Sequence, residues 1–377
     1  MGYRWTKKPS GQYINGHEQS DVVYYHQTVF LPAWAELDRH TRAWTRDNEE
    51  IANEALTAGW ILVIWFYDEC TFYVNDRRIV HWVHHGKKAV LRTKGEGLSL
   101  MVADFVSADY GWLASVDGSK STWILFKAGK NWEGYFKTKD ILNHTNSAMD
   151  IFDMDYPDED HVLVFNNTTT HFTWEEDALS ASKMVKWTLA KGKNWGVMVP
   201  ELDENCDPVY DLKGNPLKMQ VWMESAKFAD GTSQDLYWPE GHPHAGVFKG
   251  MAAILGERGF EGMLSKRGKC SKLKCKPNVI DCCCYRILYF QPDFVNIPSK
   301  LEKLCECHRY WVIFLPKFHC ELNFIEQCWG FSKHLYRQYP ASSKEADLKH
   351  NVVTALDSIP LDTMQRYIWS HFGWCYI

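Results

Sequence analysis

The sequence lacks the excess of positive charge that a dedicated polyanion binder carries. Its 42 Lys and Arg against 47 Asp and Glu give a net charge of −5, so nucleic-acid affinity has to come from local basic patches rather than from the whole chain. No apolar run reaches the length of a membrane span, and the N-terminus has no secretory apolar core, so no membrane partner is expected. Met1-Gly2-Tyr3-Arg4-Trp5-Thr6 fits the myristoylation pattern in form, but the bulky residues after Gly2 argue against it. There is no internal repeat. Cysteine is not scarce, with twelve in the chain, yet nothing suggests secretion, and in a reducing compartment clustered cysteines point to metal before disulfide.

What is present is an aromatic-rich chain of 377 residues, 15% Phe, Trp and Tyr, long enough for one large domain with an insertion or for two domains. Most of those aromatics are expected in the core, although bases could also stack on them. Apolar spacing from Val22 to about Leu56 predicts one or two helices, interrupted near Pro32. The periodicity then changes. Trp60-Ile61-Leu62-Val63-Ile64-Trp65-Phe66-Tyr67 is a continuous apolar and β-branched run ending at Asp68, as expected of a central strand buried on both faces. Further strands are predicted at Ile79–Val83, Leu98–Phe105, Thr122–Phe126 and His161–Phe165, the last ending at Asn166. Helices are predicted over Asp140–Asp153 and, from a capping-box spacing between Thr173 and Glu176, over Thr173–Val185.

From about 186 to 299 the pattern dissolves into Gly, Pro, Lys and Trp and then a cysteine cluster, too long for a loop. Regular order returns with a helix at 300–308, a strand at Trp311–Leu315 and a helix over Leu322–Gln338. The order predicts an α/β chain whose mixed sheet carries helices on its faces. The domain partition expected is an arm and helices at 1–59, a core at 60–185, an inserted Cys-rich subdomain at 186–299, and the rest of the core with C-terminal helices at 300–377.

Two buried strands thus end in polar residues, Asp68 and Asn166, and a later helix carries Glu326. Phosphodiester chemistry on two divalent ions needs oxygen ligands converging from separate rigid elements, because each hard cation takes several. Taken alone, an Asp placed like Asp68 is more often a strand-end turn residue and a Glu like Glu326 more often a surface helix charge, so spacing by itself leaves the metal site the minority reading.

The local motifs add to this reading. Phe314-Leu315-Pro316-Lys317-Phe318-His319-Cys320-Glu321-Leu322-Asn323-Phe324-Ile325-Glu326-Gln327-Cys328-Trp329 resembles the segment around the third acidic residue of mariner-like DDE transposases: leucine-proline, a short variable stretch, leucine-asparagine-x-isoleucine-glutamate, then tryptophan. Tyr67-Asp68-Glu69 resembles the first catalytic aspartate. Phe165-Asn166-Asn167-Thr168-Thr169-Thr170-His171 resembles the second, where the family usually reads Asp-Asn, small residues and His. Over most of 20–340 the chain is similar to the fungal members of that DDE superfamily and their domesticated relatives, which share the Cys-rich insertion. The resemblance implies an RNase H-like fold, a site holding Mg2+ or Mn2+ on Asp68 and Glu326, DNA as partner, strand cleavage and transfer, and a nuclear location.

Two departures bear on activity. Asn166 stands where the family has Asp, and a neutral amide lacks the charge that offsets cation dehydration. Such transposases also carry paired N-terminal helix-turn-helix domains, for which the roughly sixty residues before the first strand are too few. Asp104 and His171 are candidate auxiliary residues, each with an ordinary structural alternative, a strand ion pair and a core histidine. Glu69 is discounted, because strand alternation turns it away from Asp68.

Cys270, Cys275, Cys282, Cys283 and Cys284 fall within fifteen residues. Tetrahedral zinc takes four such ligands. The spacing matches no standard finger, and three adjacent cysteines cannot all reach one ion, so Cys270 and Cys275 with two of the other three are expected, with His242, His244 and His319 as substitutes and buried free thiols as the alternative. Lys266, Arg267, Lys269, Lys272, Lys274 and Lys276 surround the cluster with no acid between them, either as a solvated loop or import signal or as a phosphate-contacting strip. Three functions remain open at this point: an impaired transposase-derived DNA-binding protein, an active magnesium-dependent nuclease with a substitute ligand, and an interaction scaffold that retains only the fold. No signal sets an oligomeric state.

Overall fold

The computed structural model describes residues 16–45, 47, 49–51, 61–76, 95–129, 132–190, 195–203, 208–276, 279–340 and 342–375. The strand predicted at Ile79–Val83 and the end of the helical region predicted up to Leu56 lie outside these residues. The chain divides into two compact units, one of residues 1–173 with 300–377 and one of Trp174–Ser299.

The first unit is built on a mixed sheet. Its strands are β1 (Leu62–Tyr73), β2 (Ser99–Ser107), β3 (Gly111–Trp112), β4 (Ile124–Phe126), β5 (Asp160–Phe165) and β6 (Trp311–Phe314). The order runs β6-β5-β1-β2, with both β3 and β4 paired to the outer side of β2. β1, β5 and β6 are parallel, whereas β2 is antiparallel to β1 and to β3 and β4. This is the RNase H-like arrangement expected from the sequence. β1 occupies the centre because its residues can be buried on both faces. Leu62, Ile64, Phe66, Cys70 and Phe72 enter one core, and Val63, Trp65 and Tyr67 enter the other. Burying each of these large side chains contributes about 1.5–3 kcal/mol.

Helices cover both faces. On the Trp65 and Tyr67 side lies α2 (Thr138–Asp155), which buries Ile141, His144, Thr145, Ala148, Met149 and Phe152, a stripe at helical spacing. Its first turn is closed by the Lys137 backbone N–H donating to Asp140 Oδ2 at 2.8 Å. α3 (Lys300–Cys307) adds Leu301 and Cys305 to the same core. On the Phe66 side lie α1 (Leu31–Asp38), α4 (Ile325–Tyr336) and α5 (Glu345–Asp357), with α6 (Leu361–Cys375) following.

Three local expectations are corrected. The N-terminal helical region stops at Asp38. It consists of Ser20–Tyr25, a π-helical turn at His26–Phe30 and then α1, whose first turn takes Pro32 where its missing N–H is harmless. β1 does not end at Asp68 but runs on to Tyr73, because Glu69 to Tyr73 pair residue by residue with β2 and alternate between buried and half-buried. No helix forms over 173–185. The Thr173 hydroxyl is engaged with Thr138 Oγ1 at 2.8 Å rather than capping a first turn, and its carbonyl accepts from Lys300 N, also at 2.8 Å, so the chain leaves the first unit in turns.

The second unit has its own small core around Met184, Phe248, Met251, Ile254, Leu255 and Leu288. Short antiparallel ladders, Val197–Pro200 with Lys218–Val221 and Ala226–Lys227 with Ser233–Gln234, accompany the helices Met251–Glu257 and Cys284–Tyr289. Arg258 grips Asp293 with two parallel hydrogen bonds of 2.8 and 2.7 Å and reaches Gln234 Oε1 with its Nε, the bidentate geometry in which Arg is strongest.

Candidate active site and cysteine centre

The strand register decides where the candidate residues meet. Phe66 pairs with Val164 in the last rung between β1 and β5, and Leu315 N donates to the Phe165 carbonyl. Beyond that rung β5 ends, so Asp68 on β1 stands level with Asn166, the first residue after β5. The Asn166 side-chain nitrogen donates to Asp68 Oδ1 at 2.9 Å. Glu326, exposed in the first turn of α4, is the charge that acts most strongly on Asp68. Asp68 and Asn166 therefore meet where β5 ends, and Glu326 is near enough for its charge to act on Asp68.

Burial pushes the Asp68 carboxyl well above the usual carboxylate range, and Glu326 and then Glu69 push it further. Asp68 is 6% exposed. A divalent ion would relieve that repulsion, but the donor set does not suit a pair of ions. The Asn166 amide turns its nitrogen, not its oxygen, toward Asp68. The Asn166 oxygen accepts in turn from Asn323 Nδ2 at 3.3 Å, and the same nitrogen donates to the Tyr67 carbonyl at 3.1 Å. Asn323 thus ties the start of α4 to the middle of β1 and the end of β5. It stands in the leucine-asparagine motif, but nothing in its spacing assigned it this role.

The auxiliary residues behave differently from a ligand set. Asp104 sits directly across from Asp68 on β2, but it is fully buried, and its Oδ1 accepts from Phe105 N and from the Thr122 hydroxyl. Desolvation holds its carboxyl well above the usual range. His171 is a core histidine, 1% exposed, whose Nδ1 lies 2.7 Å from the Asn166 carbonyl and whose ring packs on Tyr67 and Phe165. It braces the turn after β5. Glu69 faces away from Asp68 and accepts from the Tyr67 hydroxyl at 3.0 Å.

In the second unit, Cys270, Cys275, Cys282 and Cys283 bring their sulfurs within 4.8 Å of one another. Sulfur separations of 3.7 Å (Cys270 to Cys282) and 3.9 Å (Cys275 to Cys283, and Cys282 to Cys283) are far too long for disulfides. They match the roughly 3.8 Å edge of a tetrahedron whose metal–sulfur bonds are about 2.3 Å. The arrangement can hold a metal ion. Cys284, counted among the candidate ligands from sequence, is turned away: it begins the helix Cys284–Tyr289 and its thiol faces the Met263 carbonyl at 3.7 Å. His242 stacks on Trp238, and His319 belongs to a different cluster, so neither substitutes.

The basic stretch wraps this centre. Lys269 Nζ donates to the Ser182 carbonyl at 2.7 Å and Lys266 Nζ to the Asp281 carbonyl at 2.5 Å, which makes these two local braces. Arg267, Lys272, Lys274 and Lys276 are exposed. Lys272 and Leu273 adopt left-handed backbone angles, φ 51° and 58°, at the tip between Cys270 and Cys275.

No helix among the described residues is long and apolar enough to cross a membrane. No family model matches the chain, and no curated protein matches it. Solved structures similar to it include the Mos1 strand transfer complex (11% identity, 44% of this chain, 41% of that one, TM-score 0.27) and the Mos1 mariner paired end complex with Mn (11%, 45% and 42%, TM-score 0.28). A pre-cleavage Mos1 transpososome is similar at 11% identity over 44% and 42%, with a TM-score of 0.27, so the chain spans about two fifths of the length of each of these neighbours.

Proposed function

We propose that this chain is a transposase-derived, DDE endonuclease-like protein, a decayed or domesticated copy that binds DNA and has little or no strand-cleaving activity. The observation that carries this reading is the hydrogen bond from Asn166 Nδ2 to Asp68 Oδ1. It puts a donor where two-metal chemistry needs a charged acceptor, and Asn323 engages the amide oxygen. Asp68 and Glu326 remain as two carboxylates that recruit one Mg2+ or Mn2+ weakly. Neither Asp104, enclosed by Thr122 and Phe105, nor His171, bound to the Asn166 carbonyl, is suited to replace the missing charge.

DNA contact is assigned to Arg267, Lys272, Lys274 and Lys276, held as a rigid basic knuckle by structural zinc on Cys270, Cys275, Cys282 and Cys283. A nuclear location follows from the same reading. Plasmid nicking and metal titration in Mg2+ and Mn2+, with the wild-type chain and Asn166→Asp, test it. Wild-type protein is expected to bind DNA without nicking it, and Asn166→Asp to bind the ion more tightly. Robust wild-type nicking that Asp68→Ala abolishes would overturn the impaired reading, and absence of salt-dependent DNA binding would leave a scaffold.

A further inference from the structure

The loop between β6 and α4 carries a second group of metal-type ligands that the DDE-like site does not use. His17, His319 and Glu321 each offer a ligand atom within 4.8 Å of the others. His17 comes from the N-terminal turn Gly16–Glu18, and His319 and Glu321 from the loop and turn just before Asn323. The His17 and His319 rings stack at 4.3 Å, and His319 Nδ1 lies 2.8 Å from Glu321 Oε1. A third imidazole, His26 of the π-helical turn, sits 4.9 Å from His319, and its buried Nε2 has no hydrogen-bond partner among the described residues. We propose that His17, His319 and Glu321 form a site for a borderline divalent transition ion of the zinc class, with His26 at its wall, which staples the N-terminal segment onto the loop leading to Glu326.

The ligand chemistry favours that class. Two imidazoles and one carboxylate suit Zn2+ or Co2+ better than Mg2+, which prefers oxygen and keeps its water. The rings are pre-set by the fold rather than by chance exposure. His17 Nε2 lies 2.5 Å from the Phe318 carbonyl, an approach that orients the ring and leaves its other nitrogen with the lone pair. Phe318 itself takes a left-handed φ of 70°, and a Cβ on Gly16 would come within 2.3 Å of its ring. The two segments therefore meet at a close approach, where any side chain at position 16 would have to displace the Phe318 ring. Glu321 is exposed, which gives an ion a way in. The unsatisfied His26 nitrogen, on a ring 4.9 Å from that of His319, is a group that a metal-bound water could serve.

The test uses the full chain, stripped of metal and titrated with Co2+ and Zn2+. Thiolate ligation at the cysteine centre gives an intense sulfur-to-cobalt charge-transfer band, whereas a His and Glu site gives visible d–d absorption without one. The expected result is a binding equivalent that lacks the thiolate band. His17→Gln and Glu321→Gln, both at accessible positions, should weaken it at least tenfold and leave the thiolate band unchanged. Cys270→Ser should do the converse. His26→Ala should weaken the same equivalent by a smaller factor. Zinc should also raise the melting temperature of Cys270→Ser protein, and this rise should be absent in the Cys270→Ser/His17→Gln double variant. Titration that shows no equivalent free of thiolate character, or one that survives both His17→Gln and Glu321→Gln undiminished, would overturn the proposal.

Discussion

Asn166 donates its side-chain nitrogen to Asp68 across 2.9 Å, at the level where β5 ends and β1 continues. The bond gives a buried carboxylate a neutral partner, and the geometry of a charged cluster is kept without the charge. Asn166→Asp removes the donor and adds a third negative group beside Asp68 and Glu326. In chelator, the variant should lose about 2–4 kcal/mol of stability, the loss of a charged hydrogen bond plus like-charge repulsion. Mn2+ or Mg2+ should recover much of it, because an ion that binds only the folded state stabilises it. Thermal melts in chelator and in each ion check this; equal melting temperatures with and without metal would count against it.

Asp68→Asn should act in the opposite sense at neutral pH. The folded-state pKa of Asp68 is raised, first by desolvation and then by Glu326. Its penalty is therefore absent below the unfolded pKa, near 3.9, and grows as pH rises through the folded value. Asparagine keeps an acceptor for Asn166 Nδ2 and removes the buried charge. The variant should be more stable than wild type by about 1–2 kcal/mol at pH 7–8, and the gain should vanish as pH falls toward 4. Denaturant midpoints across that range measure it, and a gain that grew on acidification would reverse the assignment.

The cysteine centre separates Cys284 from its neighbours. Cys270→Ser and Cys283→Ser should each lower the zinc content of the purified protein by one equivalent, while Cys284→Ser should leave it unchanged, since that thiol faces the Met263 carbonyl. Elemental analysis decides between these outcomes. Structural zinc stabilises such centres by several kcal/mol, so chelation should lower the melting temperature of wild type more than that of Cys270→Ser.

Arg42 joins distant parts of the first unit, bonding Asp109 at 2.8 Å and Glu159 at 2.6 Å. Burial pushes the Asp109 carboxyl up to about 6 even with Arg42 beside it. Removing the guanidinium strands two poorly exposed carboxylates, and Arg42→Met should be less stable by about 3–5 kcal/mol. Urea denaturation checks this, and adding Asp109→Asn to the variant should restore part of the loss.

Replacing Lys272, Lys274 and Lys276 by Glu should weaken DNA binding at all sequences alike. It should also flatten the salt dependence by about 0.9 for each phosphate that is no longer neutralised. Affinity measured over a salt series provides the slope. The same replacement at Lys266 and Lys269 should disturb stability instead, since these lysines hold the Asp281 and Ser182 carbonyls.

Much of the sheet was legible because burial leaves a period in the chain. The run Leu62 to Tyr67 can only be satisfied between two cores, and the structure divides it between them residue by residue. The stripe of α2 was legible for the same reason. Where expectation failed, the deciding partner lay elsewhere in the chain: Glu69 to Tyr73 extend β1 because β2 pairs with them, and Thr173 caps no helix because Thr138 takes its hydroxyl. Neither partner leaves a local signal.

The same division holds at the candidate site. By itself the sequence determined which residue types were available: an aspartate on a buried run, an asparagine where the resembling family has aspartate, a glutamate after a leucine-asparagine motif, and five crowded cysteines. Their types limit what each can donate or accept, because that chemistry is local to the side chain. Only the tertiary structure decided that Asn166 gives its nitrogen to Asp68 while Asn323 takes its oxygen, that Cys284 leaves the cluster, and that His17 meets His319 across about three hundred residues of chain. Those choices depend on register and on which loops approach one another, and the packing of remote segments sets both.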